Sequence, residues 1–377
     1  MNAGIPAKGT RENFSFGCEK YAEKLKKQAI HMDQGVCYNP EYLATRLTSL
    51  YPSRAAQIAL AVLRGGLEPS ERGAEIIFTS ILSGQGERWQ NFGEERNDFL
   101  HCMILARELF VKSGFSRVKS AEELEIPKSP DRRDLWDDAI KIERGADCFL
   151  FVDDASFEYT GTSPQKLGGF LRRKGISLRG WLTSGTGFAL MAHGFAGEGA
   201  DRLRSLIEEL ASQGAERVVT VSGQAAYCLT VLADDLGIQR GFDVTDVLDA
   251  ASGIETQRAH IYGGSFYTRF LGKSRRIEAL SRNTREIPIP NAPEFRPLYD
   301  ADRRLNGVGV WESPISSEYV NRHTDRDILD KIRGAALKEI TFTPYDQLVI
   351  CEPFAYSELR RIGYGAGKLA YFWDLLV

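Results

Sequence analysis

No two cysteines of this chain stand close together. The six, at positions 18, 37, 102, 148, 228 and 351, are never nearer than 19 residues. That spacing excludes C-x-x-C zinc or ferredoxin loops and any dense disulfide framework. Excess charge is lacking too. Lys+Arg of 48 against Asp+Glu of 51 gives a net charge of −3, so no overall field calls for nucleic acid or an anionic membrane. The longest apolar runs, Ile58–Leu63 and Cys148–Val152, fall far below the ~20 residues that span a bilayer. Met1–Thr10 carries no apolar core of a signal peptide. With dispersed cysteines, this predicts a reducing, cytoplasmic compartment. What is present is a 43% apolar, 26% charged chain of 377 residues, enough for two or three globular domains.

Residues 1–125 read as helical. Asn39-Pro40-Glu41 is a helix start, with a capping side chain, a first-turn proline and an acid at the positive dipole end. Arg54–Arg64 and Asn97–Val111 carry apolar residues at helical spacing. Pro127 and Pro130 among charges mark 126–145 as a linker. From 146 the texture alternates between strand and helix. Cys148–Val152, Ile176–Leu182, Arg217–Val221, Arg258–Tyr262 and Gln347–Cys351 read as strands. Pro164–Lys174, Asp201–Ser212, Ala225–Asp235, Lys273–Leu280, Asp325–Lys338 and Pro353–Arg361 read as helices. Arg217–Leu229 (RVVTVSGQAAYCL) and Gln347–Leu359 (QLVICEPFAYSEL) share a strand, a polar turn, then Ala-Tyr opening a helix. Ser184–Phe188 and Asn306–Val310 both hold Gly-x-Gly turns. A duplicated α/β unit is predicted, with halves at 146–252 and 253–377.

Familiar chemical motifs are incomplete. Gly185 and Gly187 follow a strand, but the third position of a dinucleotide fingerprint is Leu190, so a structural turn is expected. Ser184 and Ser222 lack the G-x-S-x-G elbow. His101-Cys102 diverge by ~100° on a helix and cannot chelate together; His31 and Cys37 remain the other metal pair. Asp153-Asp154 and Glu352 end strands, where α/β sites form. They suit paired-carboxylate chemistry and, equally, capping of helix N-termini. Arg172–Lys174 reads as a dipole-complementing helix end and Lys273–Arg276 as a solvated face.

The duplicated strand–turn–helix resembles the heterodisulfide reductase, glycolate oxidase and lactate-utilisation iron–sulfur subunits over roughly 40–377. Those proteins join a helical two-cluster ferredoxin module to two cysteine-rich α/β units. In the first unit Asp154 takes a cysteine position, and Thr183-Ser184-Gly185 takes the Cys-Cys-Gly. Gly223-Gln224-Ala225-Ala226-Tyr227 takes the C-P-x-C-Tyr. In the second, Tyr262–Arg269 is similar to His-Asp-Pro-Cys-His-Leu-Gly-Arg, with Ser265 at the cysteine. Leu305-Asn306-Gly307 looks like the Cys-Cys-Gly, and Glu352-Pro353-Phe354-Ala355 like Cys-Pro-Phe-Cys. Arg54–Gly66 matches the region between ferredoxin clusters, and Ile81–Gly86 the second cluster loop.

The resemblance implies an α/β fold: an N-terminal helical ferredoxin-like module, then two duplicated cysteine-rich-type domains. Every ligand position in the α/β units is vacated, so no iron–sulfur cofactor and no resident metal are expected, because a cluster needs about four converging thiolates. The implied role is a cluster-free structural or docking subunit of an oxidoreductase complex. Its expected partners are other subunits, such as a flavoprotein or a cluster-binding paralogue. The alternative is an enzyme or ligand-binding protein with a polar pocket remodelled from Asp154, Thr183, Ser184, Gly223, Ala226, Ser265, Asn306, Glu352 and Ala355.

Overall fold

The computed structural model describes residues 23–26, 39–84, 98–160, 164–255, 258–280, 314–316, 325–342, 345–365 and 367–377. Asn306, His31, Cys18, Cys37 and the second Gly-x-Gly turn lie outside them. Contacts divide the chain into two units. One comprises Met1–Glu125, Gly187–Arg202 and Tyr319–Arg333; the other comprises Ile126–Thr186, Leu203–Glu318 and Gly334–Val377. No helix among the described residues is long and apolar enough to cross a membrane.

The first unit is helical. Helix α1 (Pro40–Thr45) starts where Asn39 accepts the Tyr42 N–H at 2.8 Å, with Pro40 in its first turn. Helix α2 (Pro52–Leu63) buries Ala55, Ala56 and Ala59, small residues that let its neighbours approach closely. Ser70 caps α3 (Glu71–Thr79) by accepting the Gly73 N–H at 3.2 Å. Helix α4 (Phe99–Lys112) is buried along nearly its whole length.

The second unit opens where a linker is expected. Pro130 instead starts helix α5 (Pro130–Ala139), and the first-turn position tolerates its missing N–H. That helix inserts Trp136, wholly buried, against Phe157, Trp181 and Trp373 at ring-centroid distances of 6.1, 5.7 and 5.8 Å. Strand β1 (Cys148–Asp153) is buried at every residue and leads into α6 (Asp154–Tyr159) and α7 (Pro164–Arg173). Strand β2 (Leu178–Ser184) then leads to α8 (Phe188–Ala192) and α9 (Ala196–Ser212), of which α8 and α9 as far as Arg202 belong to the first unit. Strand β3 (Arg217–Thr220) precedes α10 (Gly223–Tyr227), which runs on through a π-helical stretch, Cys228–Leu232. Strand β4 (Asp243–Asp246) and α11 (Val247–Ala250) complete a four-stranded parallel sheet in the order β2-β1-β3-β4.

A second parallel sheet is built from β5 (Ala259–Tyr262), β6 (Gln347–Ile350) and β7 (Leu369–Tyr371), in that order. Between them lie a second π-helical stretch, Phe266–Phe270, then α12 (Ser274–Glu278) and α13 (Arg326–Phe342). Helix α14 (Pro353–Arg361) links β6 to β7. Apolar side chains of both sheets, including Leu150, Val219, Ile261, Val349 and Tyr371, belong to one continuous core. The architecture is mixed α/β with two small parallel sheets.

The two sheets can be set side by side by their strand registers. Leu150 pairs with Val219 in the first, and Ile261 with Val349 in the second. Matching Val219 to Val349 puts Asp154 opposite Ser265 in the comparison, Ser156 opposite Tyr267, and Ser222 opposite Glu352. It matches Ala355 to Ala225, one residue before Ala226, which stands instead opposite Tyr356. The sequence comparison slid that helix by one position because it anchored on the Ala-Tyr pair. Helix caps fix the structural register: Ser222 accepts from the Ala225 N–H at 3.1 Å, and Glu352 from the Ala355 N–H at 2.9 Å.

Candidate functional site

Strand carboxyl ends are where an open α/β sheet gathers chemistry, and here those of β1, β3, β4 and β6 hold an acceptor that caps the following helix. Asp153 at the end of β1 accepts the Ser156 N–H at 3.2 Å, and Asp246 after β4 accepts that of Leu248 at 2.7 Å. Ser222 and Glu352 do the same after β3 and β6. These caps satisfy first-turn N–H groups that otherwise lack partners. Of the two chemistries open to Asp153 and Glu352 from sequence, capping is thus occupied. Asp154 turns one oxygen onto the neighbouring Ala155 N–H at 2.9 Å.

The two sheets meet along these ends. Helix α6, after β1, packs against α14, after β6, with Tyr159 and Phe354 rings 4.9 Å apart. The Phe266–Phe270 stretch, after β5, packs against α10, after β3. Tyr227 lies 5.6 Å from the rings of both Phe266 and Phe270. The contacts are exchanged: the element after the first strand of each sheet meets the helix after the middle parallel strand of the other. Gly223 is where the approach is closest. A Cβ there would stand 2.9 Å from the Tyr267 backbone nitrogen and 3.0 Å from Phe266 Cβ.

Buried polar groups face one another across the seam. Burial pushes the Asp153 carboxyl up, against the Ser222 and Ser156 hydroxyls and the Ser156 amide beside it. Tyr371, wholly buried on β7, is raised well above the usual phenol range by burial, with Asp153, Glu352 and Cys351 adding to it. Tyr267 is raised likewise, by burial first and then by Asp246 and Tyr371. Asp246 is pushed up to about 6 by burial, opposed by Lys273, whose Nζ lies 3.1 Å away. Lys273 also reaches Asp249 at 2.7 Å, and Arg276 donates to the Leu248, Asp249 and Ala251 carbonyls. The basic run expected to be a solvated face therefore fastens α11, the short helix after β4.

The remaining candidates do not converge on one cavity. Thr183 and Ser184 end β2, where Ser184 pairs with Asp153 in the ladder and Lys128 Nζ donates to the Thr183 carbonyl at 2.8 Å. Ser265 accepts from Arg269 at 3.0 Å, far along the chain at the second sheet. Ala226 and Ala355 are buried packing residues. Cys102, Cys148, Cys228 and Cys351 are buried and unbridged, and burial pushes the Cys228 thiol up. Among the described residues no group of three or more His, Cys, Asp or Glu is placed to hold a metal ion. Sequence reasoning missed Ser156, Asp246, Tyr267 and Tyr371. The aromatic run Tyr371-Phe372-Trp373 was the available signal for the last. No protein-family model, curated protein or solved structure matches the chain.

Proposed function

We propose that this chain is a cluster-free relative of the heterodisulfide reductase-like iron–sulfur subunits, serving as a structural or docking subunit of a heteromeric redox complex. One observation carries this reading. At the carboxyl ends of the two sheets, where an α/β protein would seat a ligand, the elements that follow the strands of one sheet pack on those of the other. Gly223 abuts Tyr267, and Asp153 and Glu352 lie beside the buried Tyr371. Such packing supports a chain whose seam serves cohesion instead of catalysis. The exchanged contacts and matching registers support duplication of one α/β unit. The resemblance supplies the class of partner, a flavoprotein or a cluster-binding paralogue.

Two measurements test the proposal. Anaerobic purification with iron and sulfide reconstitution should leave the protein colourless; stoichiometric iron with broad visible absorbance would refute it. Affinity purification at native expression should bring down a redox subunit in fixed ratio, and recovery of the chain alone would refute docking.

A second reading, a remodelled polar pocket, draws on one place. Ser184 and Gly185 are half-exposed at the end of β2, and a Cβ at Gly185 would lie 3.1 Å from an Asp154 oxygen. A metabolite thermal-shift panel separates the two: a raised melting temperature that Asp154→Ala abolishes favours the pocket.

A further inference from the structure

In the helical unit, two buried charged side chains hold one short loop. Glu41, in the first turn of α1, accepts the Ile81 N–H on Oε1 at 2.8 Å, while its Oε2 has no hydrogen-bond partner. Arg107, on α4, donates to the Ser80 carbonyl and to that of Ala192, with the Ile77 and Phe78 carbonyls at 3.4 and 3.5 Å. Both side chains are buried, and so is every residue of the loop they grip, 80–84. Within it Leu82 adopts φ 52° and Gly84 φ 73°. A leucine in that left-handed region costs roughly 1–2 kcal/mol, so the loop keeps its shape only because its surroundings hold it there.

We propose that Glu41 is a proton-linked clasp: proton uptake by its carboxyl fastens the 80–84 loop, and proton release loosens it. A carboxylate shut away from water, with few donors and Oε2 left without a hydrogen bond, is poorly solvated, so the neutral acid is preferred in the closed loop. The facing charge is Arg107, whose two terminal nitrogens donate to backbone carbonyls. Asn39 is the polar neighbour on α1 itself. The charged residues of α3 are engaged at the surface, Glu71 with Arg117 and Arg72 with Glu75. Burial pushes Glu41 up to about 7, and the Ile81 amide, its own amide, Asn39 and Arg107 only partly oppose it.

Opening the loop returns Glu41 to water and to its ordinary value of 4.5. Between the two values closing takes up a proton, so the closed loop is favoured at lower pH and weakened as pH rises through about 7. Linkage between those values gives about a thirtyfold fall in the closed-to-open ratio from about pH 5.5 to about 8.5.

Hydrogen exchange on the full chain, read by mass spectrometry in fragments covering 80–84 and corrected for intrinsic exchange, tests this. Protection should fall about thirtyfold over that range, and Glu41→Gln should stay protected with a flat profile. A flat wild-type profile, or an equal slope in E41Q, would overturn the clasp. Should E41Q not fold, infrared difference spectra of the wild type decide. A buried carboxylic-acid band titrating near neutral pH supports the clasp, and its absence overturns it.

Discussion

Gly223→Ala probes the seam at its tightest point. The added Cβ would meet the Tyr267 nitrogen at 2.9 Å, Phe266 Cβ at 3.0 Å and Tyr267 Cγ at 3.0 Å. Ordinary carbon contacts begin near ~3.5 Å, so about half an ångström must be found. The Tyr267 nitrogen is backbone, in a π-helical stretch, and cannot swing aside. Helix α10 and that stretch must separate, which loosens the Tyr227, Phe266 and Phe270 packing. Overpacking of this kind costs about 1–3 kcal/mol. Gly334→Ala is the matched control. Gly334 lies inside α13 with nothing within 4 Å of its added Cβ, so alanine should stabilise by about 0.5–1 kcal/mol through helix propensity. Urea unfolding followed by tryptophan fluorescence reads the right region, because Trp136, Trp181 and Trp373 all sit in the second unit's core. G223A should lower the midpoint and G334A raise it slightly. A G223A midpoint equal to wild type would refute the claim that the two sheets abut at this glycine.

Removing the α14 cap by Glu352→Ala should cost about 0.5–2 kcal/mol, while Gln, which keeps an acceptor, should cost less; equal losses would count against capping. Trp136→Ala should cost about 3–5 kcal/mol in the same urea assay, and a loss under about 1 kcal/mol would mean that α5 is the loose linker its prolines suggest. Asp246 is raised from 3.8 to about 6, so the folded state holds its proton more tightly than the unfolded chain. Its contribution is therefore largest below the lower value and is lost as pH rises through the upper one, on the order of 3 kcal/mol in all. Asp246→Asn should remove that slope from the pH dependence of the urea midpoint.

Much of the scaffold is legible in sequence because it is written in short-range terms. Cys148–Val152, Arg217–Val221 and Gln347–Cys351 are apolar runs of strand length, and each forms a buried parallel strand. Strand β4 escaped notice because Asp243–Asp246 is polar and only partly buried. Helix α9 begins at Ala196, ahead of the apolar pattern, since its first turns are glycine-rich. Gly199 there faces Met191, where a Cβ would come within 2.4 Å of Cγ. The prolines that suggested a linker are compatible with a helix start, and Trp136 was the overlooked sign of burial. At the site, Asp153 and Glu352 were legible as strand-end polar residues, but their partners were not. Tyr371 meets Asp153 through a tertiary contact more than two hundred residues distant in sequence and meets Glu352 from the neighbouring strand β7, and no local pattern encodes either meeting.

The fit at Gly223 also bears on what could be engineered into this seam. A cysteine needs a Cβ before it can offer a thiolate, and at Gly223 the Tyr267 backbone occupies that atom's room. At Ala355, wholly buried within the packed core, a sulfur would likewise need space that neighbours now fill. Thiolates introduced at these two positions would thus disturb the packing before they could hold a metal.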